Sequence, residues 1–524
     1  MTQSNTSTSL THTAARGAAL GTIAAVIDRL NALAIQAALT YILLKADFGI
    51  WALASPILAL STILIQTAIR DILIHRSKKF HLWSSPAAWL SLTLGLTAAI
   101  TVIILGFAAA SLYNTPQLST VLLIAAIQPL ASSITIVPRA KMSIDMRFGA
   151  LAAFYCTSSI TNWTLALVYA LMGAGLYAFP LGIATTGILQ IFAIWFIAPI
   201  KLKPNPQLQR WKYIIGDATT IIAANFANWI RTQGDRLILG FFLTQSMMGI
   251  YFLAFQLSIQ TFSILTLNLS SVLLPTLASL NDQPERQINA FLRSLKMLLF
   301  LAAAICAATI VVASPLTRIL FDETKWIHLD TTLQLITAGM VFRAIEPPVR
   351  ALMSAQGRFK KLFYLNISST IAFIIFITTV LLSAGLLNIQ TAHLYAAAIA
   401  GVAFHILWAI ILIHTALKPT NKKTLSTLTS LAQPLIYATI AATISATSAW
   451  AISLLLPQPH TITNDAIKIA TAATTFLTTY ILIAHTAKPQ ELNTLTSFAL
   501  QMTPSKLRPL AQKIARLALN HTPE

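Results

Sequence analysis

Residues 86–111 contain no charged side chain, and comparable apolar runs return along the whole chain. A hydrocarbon bilayer core is crossed by about 20 helical residues. Inside it the backbone must satisfy its own hydrogen bonds, so each run can only be a helix. Fourteen spans are read, near 17–43, 48–69, 86–111, 117–137, 148–173, 178–200, 213–241, 246–278, 297–317, 331–349, 362–386, 391–417, 428–456 and 466–486. Composition agrees: 56% of residues are hydrophobic and 10% charged, against about 25% charged in soluble globular chains. The expected class is an all-α polytopic membrane protein. Residues 1–14 are rich in Ser and Thr and carry no basic stretch or cleavage site. The first span is therefore expected to remain as an anchor.

The net charge of +20 sits between the spans. Loops after even-numbered spans are basic, from Arg70, Arg76, Lys78 and Lys79 through Arg139, Lys141 and Arg147 to Lys201, Lys203, Arg210 and Lys212. The pattern resumes at Arg286, Arg293 and Lys296, at Arg350, Arg358, Lys360 and Lys361, and at Lys418, Lys422 and Lys423. Loops after odd-numbered spans contribute Lys45, Lys325 and Lys468. The positive-inside rule then puts the even loops and both termini in the cytoplasm. Charge spread among short loops marks topology rather than a nucleic-acid surface. Cys156 and Cys306 fall inside spans and no CxxC or HExxH occurs. No metal, disulfide or cofactor is expected. The outer loops are short, which argues against a membrane enzyme with an extracellular catalytic loop.

A duplication organises the chain. Gly49-Ile50-Trp51-Ala52-Leu53-Ala54 returns as Gly249-Ile250-Tyr251-Phe252-Leu253-Ala254, an offset of 200, and Arg139-Ala140-Lys141-Met142-Ser143 as Arg350-Ala351-Leu352-Met353-Ser354, an offset of 211. Six spans per repeat set both repeats the same way up, about a pseudo-twofold axis along the membrane normal. The expected divisions are a six-helix bundle at 1–212, a second at 213–420, two added helices at 421–486, and a basic tail at 487–524. Within that tail 505–519 read as an amphipathic segment on the cytoplasmic leaflet.

Ionisable residues inside spans are costly and mark function. Asp28 and Arg29 lie in span 1, Arg231, Asp235 and Arg236 in span 7, and Arg343 and Glu346 in span 10 before Pro347-Pro348. Arg29 and Arg231 precede the repeated glycines at similar distances, so each repeat offers an arginine at a similar depth. A cationic cavity for an anionic headgroup is the functional reading, because a guanidinium donates two parallel hydrogen bonds to phosphate and stays charged when desolvated. Self-neutralisation is the bland one: Arg231 and Asp235 are spaced i,i+4, Arg343 and Glu346 i,i+3, and Asp28 and Arg29 would pair across helices. The acids stand as either a coupling-ion site or structural pairs. Arg70 and Arg139 serve as a first phosphate dock or as topology anchors. Asn225, Asn228 and Gln233 line a sugar path or join helices, and His405 is read as a packing histidine.

Three segments carry a family resemblance: Gly234-Asp235-Arg236-Leu237-Ile238-Leu239-Gly240, Met248 to Ala254, and Leu274-Pro275-Thr276-Leu277-Ala278-Ser279-Leu280. They look like the seventh and eighth spans of bacterial polysaccharide flippases, in the multidrug/oligosaccharidyl-lipid/polysaccharide exporter superfamily. Pro315 to Phe321 and Ala351 to Arg358 resemble spans 9 and 10 of the same family. The resemblance covers about residues 15–420. It implies two bundles in an inverted V, alternating access, and export of isoprenoid-pyrophosphate-linked sugar units across the bacterial inner membrane. An H+ or Na+ coupling ion, glycosyltransferases and a polysaccharide polymerase are the further partners expected. Span 8 carries no charge, which departs from the arginine set of a lipid II flippase. A drug or small-solute cation antiporter of the superfamily remains as an alternative, and a membrane polysaccharide polymerase or ligase as a third.

Overall fold

The computed structural model describes residues 26–200, 202–204, 206–266, 269–386, 391–418, 424–455 and 462–487. The amphipathic segment expected at 505–519 lies outside them. All regular structure among the described residues is helical. The helices are α1 (residues 26–42), α2 (Lys45–His75), α3 (Phe80–Leu112), α4 (Gln117–Ala125), α5 (Ile127–Ile144), α6 (Phe148–Leu171), α7 (Ala178–Ile197) and α8 (Leu208–Leu239). They continue as α9 (Gln245–Thr266), α10 (Leu269–Ala278), α11 (Pro284–Leu320), α12 (Leu329–Arg343), α13 (Glu346–Ala355), α14 (Phe359–Gly385), α15 (Ala392–Leu417), α16 (Thr424–Leu455) and α17 (Ile462–Ala487). Eight stretches among the described residues, from Ser77–Leu112 to Thr463–Ile483, are long and apolar enough to cross a membrane.

The chain divides into two compact units, residues 1–253 with 366–394, and residues 254–365 with 395–524. In the first unit α2 packs against α3, α5 and α8. Ile69 and Leu73 of α2, Leu90 of α3, Ile136 and Ala140 of α5 and Ile214 of α8 share one apolar cluster. Small residues let backbones meet, as is usual where lipid gives no hydrophobic push between helices. Gly95 of α3 lies so close to Ser133 of α5 that a Cβ would come within 2.4 Å of its Oγ. Ser91 Oγ donates to the Ser133 carbonyl at 3.0 Å across the same contact.

The second unit is built on α11, which packs against α12, α16 and α17. Pro284 opens α11 where its missing N–H is no loss, and Glu285 in the first turn favours the helix dipole. The α16–α17 pair is fastened to α11 at two depths. Tyr480 donates to the Phe300 carbonyl at 2.8 Å. Asp465 is bridged by Arg318 of α11 at 3.4 Å and by Lys468 of its own helix at 3.5 Å. Lys468 is thus buried against Asp465 rather than exposed as a loop charge.

The duplication is carried into backbone geometry. At offset 211, α5 ends at Ile144 and α13 at Ala355, while α6 starts at Phe148 and α14 at Phe359. Met146 and Gly357, one offset apart, both take left-handed backbone with φ of 56° and 69°. Arg147 donates to the Ile197 carbonyl at the end of α7 at 3.3 Å, and Arg358 to the Thr415 carbonyl near the end of α15 at 3.2 Å. Both arginines meet the negative end of a helix dipole.

Asp465→Asn leaves Arg318 and Lys468 without their anion. Removing one partner of a buried pair costs about 3–5 kcal/mol, and thermal unfolding in detergent is expected to show a large loss. Lys141→Ala, which breaks the exposed Lys141–Asp145 pair, is expected to cost less than about 1 kcal/mol.

Candidate functional site

The two repeated glycines meet. A Cβ on Gly49 of α2 would lie 1.8 Å from the Gln245 carbonyl oxygen, and a Cβ on Gly249 of α9 would lie 2.0 Å from that of Lys45. Gln245 precedes Gly249 by one turn and Lys45 precedes Gly49 by one turn, so the contact is reciprocal. It is a local twofold between the two copies of the repeat. Both helices start at the crossing with different caps: the Leu44 N–H donates to Asp47 Oδ2 at 2.8 Å before α2, and the Met247 N–H to Thr244 Oγ1 at 3.4 Å before α9.

Tyr113 fastens the same end. Its hydroxyl donates to the Leu237 carbonyl at 2.7 Å, its ring packs on Phe241, and a Cβ on Gly240 would run into that ring at 2.8 Å. Burial pushes the Tyr113 phenol up to about 12. Gln245 Nε2 donates to Thr115 Oγ1 at 3.0 Å. A hollow of about 430 Å³ beside the crossing is lined by Ala46, Leu53, Tyr113, Thr115, Gly240 and Gln245, among others.

The expected charges of span 7 lie on α8 against α2 and α9. Asp235 and Arg236 are buried. Arg236 reaches Ser55 Oγ at 3.4 Å, and its guanidinium carbon sits 5.2 Å from the centre of the Phe252 ring. Arg231 donates to Asn228 Oδ1 at 2.9 Å. Trp229 donates to the Pro56 carbonyl at 2.9 Å, within an α2 that runs through that proline. On α1, Asp28 and Arg29 are half-buried. Asp28 Oδ1 and Asn31 Nδ2, one turn apart, are buried with no hydrogen-bond partner among the described residues.

The Arg343 and Glu346 pair of span 10 comes out differently. α12 ends at Arg343 and α13 starts at Glu346, so the two do not share one helix face. The break follows from Pro347-Pro348, which fit the first turn of a helix but not its interior. Glu346 instead accepts from Arg350, four residues on, at 2.8 Å. Arg350 was read as a loop charge, yet the i,i+4 spacing to Glu346 was visible in the sequence. His405 Nδ1 donates to the Gly401 carbonyl at 2.5 Å.

A family model described as polysaccharide biosynthesis protein matches residues 38–329, more than half of the chain. The chain belongs to the polysaccharide biosynthesis protein family. Among curated relatives, the lipopolysaccharide biosynthesis protein WzxC of Escherichia coli (strain K12) is 24% identical over 376 residues, 68% of this chain and 73% of the relative. The amylovoran biosynthesis protein AmsL of Erwinia amylovora is 22% identical over 322 residues, 59% of this chain and 80% of the relative. Among solved structures, the lipid II flippase MurJ in an inward closed conformation aligns with a TM-score of 0.58 at 16% identity, covering 90% of this chain and 98% of that one. An inward-facing multidrug resistance MATE transporter of the MOP superfamily aligns with a TM-score of 0.52 at 15% identity, covering 77% and 96%. This member of the polysaccharide biosynthesis family thus shares its fold with transporters of the MOP superfamily.

Gly49→Ala and Gly249→Ala each press a methyl group into a backbone carbonyl that cannot swing aside. Each is expected to abolish complementation of a cell lacking the protein and to lower the melting temperature sharply. Gly216→Ala, where a Cβ meets nothing within 4 Å, is expected to be neutral or to stabilise by up to about 1 kcal/mol.

Proposed function

We propose that this protein is a flippase of the bacterial inner membrane that moves isoprenoid-pyrophosphate-linked oligosaccharide units from the inner to the outer leaflet for cell-surface polysaccharide synthesis. The two six-helix repeats, residues 1–212 and 213–420, rock about the Gly49–Gly249 crossing. Residues 421–486 add a helix pair and 487–524 a cytoplasmic tail. The family and the names of its relatives support the pathway, and the MurJ-like fold supports the mode of action.

The observation that carries the reading is the charge of α8. Arg231, Asp235 and Arg236 leave the last three turns of this helix with a positive excess beside a crossing that joins the repeats. Arg231, with Arg29 and Arg343, is assigned to the pyrophosphate, as suits a planar donor fork. The acids Asp235 and Glu346 set the orientation of neighbouring guanidiniums. Asp28, whose Oδ1 is buried with no hydrogen-bond partner among the described residues, is assigned to an H+ or Na+ coupling ion, since a carboxylate oxygen shielded from water gains from a bound cation. Glycosyltransferases would load the lipid carrier on the inner face, and a polysaccharide polymerase would consume the unit outside.

Lipid extracts of cells lacking the protein test this. A complete polyprenyl-pyrophosphate-linked repeat unit is expected to accumulate on the cytoplasmic face, cleared by the intact protein and not by Arg231→Ala. Absence of that lipid would point to a small-molecule cation antiporter. Units already facing outward would point to a polymerase or ligase.

A further inference from the structure

The duplication contains its own control experiment. Arg139 and Arg350 hold the same position in the two copies of the repeat, one offset of 211 apart. Arg350 has an internal counter-ion, Glu346, at 2.8 Å. Moved back by the same offset, Glu346 becomes Thr135. The first copy therefore keeps the arginine and lacks the acid.

Arg139 is nevertheless deeply placed, 8% exposed. Its Nε donates to the Thr135 carbonyl at 3.3 Å and one Nη to the Ser132 carbonyl at 3.2 Å, both on its own helix α5. These are neutral acceptors. The Tyr155 side chain of α6 also engages Arg139, and a second cation, Arg70 of α2, stands close enough to repel it. Arg70 donates to Ser143 Oγ at 3.3 Å, one turn along α5 from Arg139, and its Nε is buried with no hydrogen-bond partner among the described residues. Ser143 in turn donates to the Arg139 carbonyl at 3.1 Å. Among the described residues no carboxylate pairs with either guanidinium, and Asp145 at the end of α5 is held by Lys141 at 2.8 Å. Tyr155 of α6 borders the site, its ring centre 6.0 Å from the Arg139 guanidinium carbon.

A buried guanidinium beside a half-buried one, without an anion between them, is unfavourable unless something supplies the charge. Their chemistry specifies what: a tetrahedral oxyanion with several acceptor oxygens, which each planar fork can grip at two points. We propose that Arg70 and Arg139, with the Ser143 hydroxyl, form a phosphate-binding site at the end of α2 and α5, separate from the α8 arginines. The proposal rests on the flippase reading for its physiological ligand, the pyrophosphate of the lipid-linked substrate held before it crosses. A phospholipid headgroup presents the same chemistry.

The test uses the full-length protein in nanodiscs, titrated with inorganic pyrophosphate by calorimetry, with sulfate at matched ionic strength as reference. Pyrophosphate is expected to bind at least tenfold more tightly than sulfate. Thr135→Glu, which gives the first repeat the acid of the second, is expected to weaken pyrophosphate binding at least tenfold. Arg70→Gln, at a half-buried position, is expected to do the same and serves should Thr135→Glu fail to fold. Wild-type affinity for pyrophosphate in the folded variants, or equal affinity for sulfate, overturns the site. Displacement of pyrophosphate by polyprenyl pyrophosphate, but not by phosphatidylglycerol in the disc, assigns the site to substrate. Displacement by phosphatidylglycerol overturns that assignment and makes it a lipid headgroup site. The two readings fail separately. A dead site with glycan accumulation intact removes only the site. A working site in a protein whose loss causes no accumulation removes the flippase reading.

Discussion

Two helices can approach until a carbonyl oxygen of one touches the Cα of the other only where no Cβ intervenes. Gly49 and Gly249 meet this condition twice over, each clearing the carbonyl one turn before the other. Much of the first unit depends on that approach. It sets where α2 and α9 begin and leaves room for Tyr113 to reach the Leu237 carbonyl. It also brings Phe252 of α9 under the Arg236 guanidinium. In lipid, where apolar surface gives no drive toward association, close packing of this kind and the hydrogen bonds it permits hold helices together.

The duplication was legible in the sequence because its two matched segments are those whose residues have a fixed steric or terminal role. Glycines at the crossing and an arginine–serine pair at the end of α5 and α13 survive where surrounding Ala, Ile and Leu exchange freely. Membrane character was legible for a related reason, since a span has no way to hide a polar backbone and the apolar run is obligatory. The charge partners were less so. Arg343 and Glu346 look adjacent on a continuous helical wheel, and only the restart of the helix at Glu346, ahead of Pro347-Pro348, hands the acid to Arg350. Arg318 and Asp465 are far apart in sequence, and nothing in their local context announces that α17 returns to the end of α11. Lys468 carries the same difficulty in another form, as a basic residue near a span end whose role is pairing rather than topology.

The two units handle buried charge by different means. In the second, acids and bases are matched locally, Glu346 with Arg350 and Asp465 with Arg318 and Lys468. Such pairs hold helices in register while adding little net attraction for a ligand. In the first, Arg139 leans on neutral carbonyls, and Asp28 carries a buried oxygen without a hydrogen bond among the described residues. At the matched position the second repeat carries Glu346 beside Arg350, and the first carries Thr135 beside Arg139.

The reciprocal crossing has a consequence for how the gene can change. Each glycine relieves a different carbonyl, so neither can compensate for the loss of the other. Inserting one residue between Lys45 and Gly49, or between Gln245 and Gly249, would turn a glycine about 100° away from its contact. The repeat offset grows from 200 to 211 between the two matched segments, so the two copies differ in length elsewhere. Insertions and deletions can thus accumulate in the loops of this chain while these two helical turns stay frozen in length, a ruler against which diverged relatives can be aligned when little else in their sequences agrees.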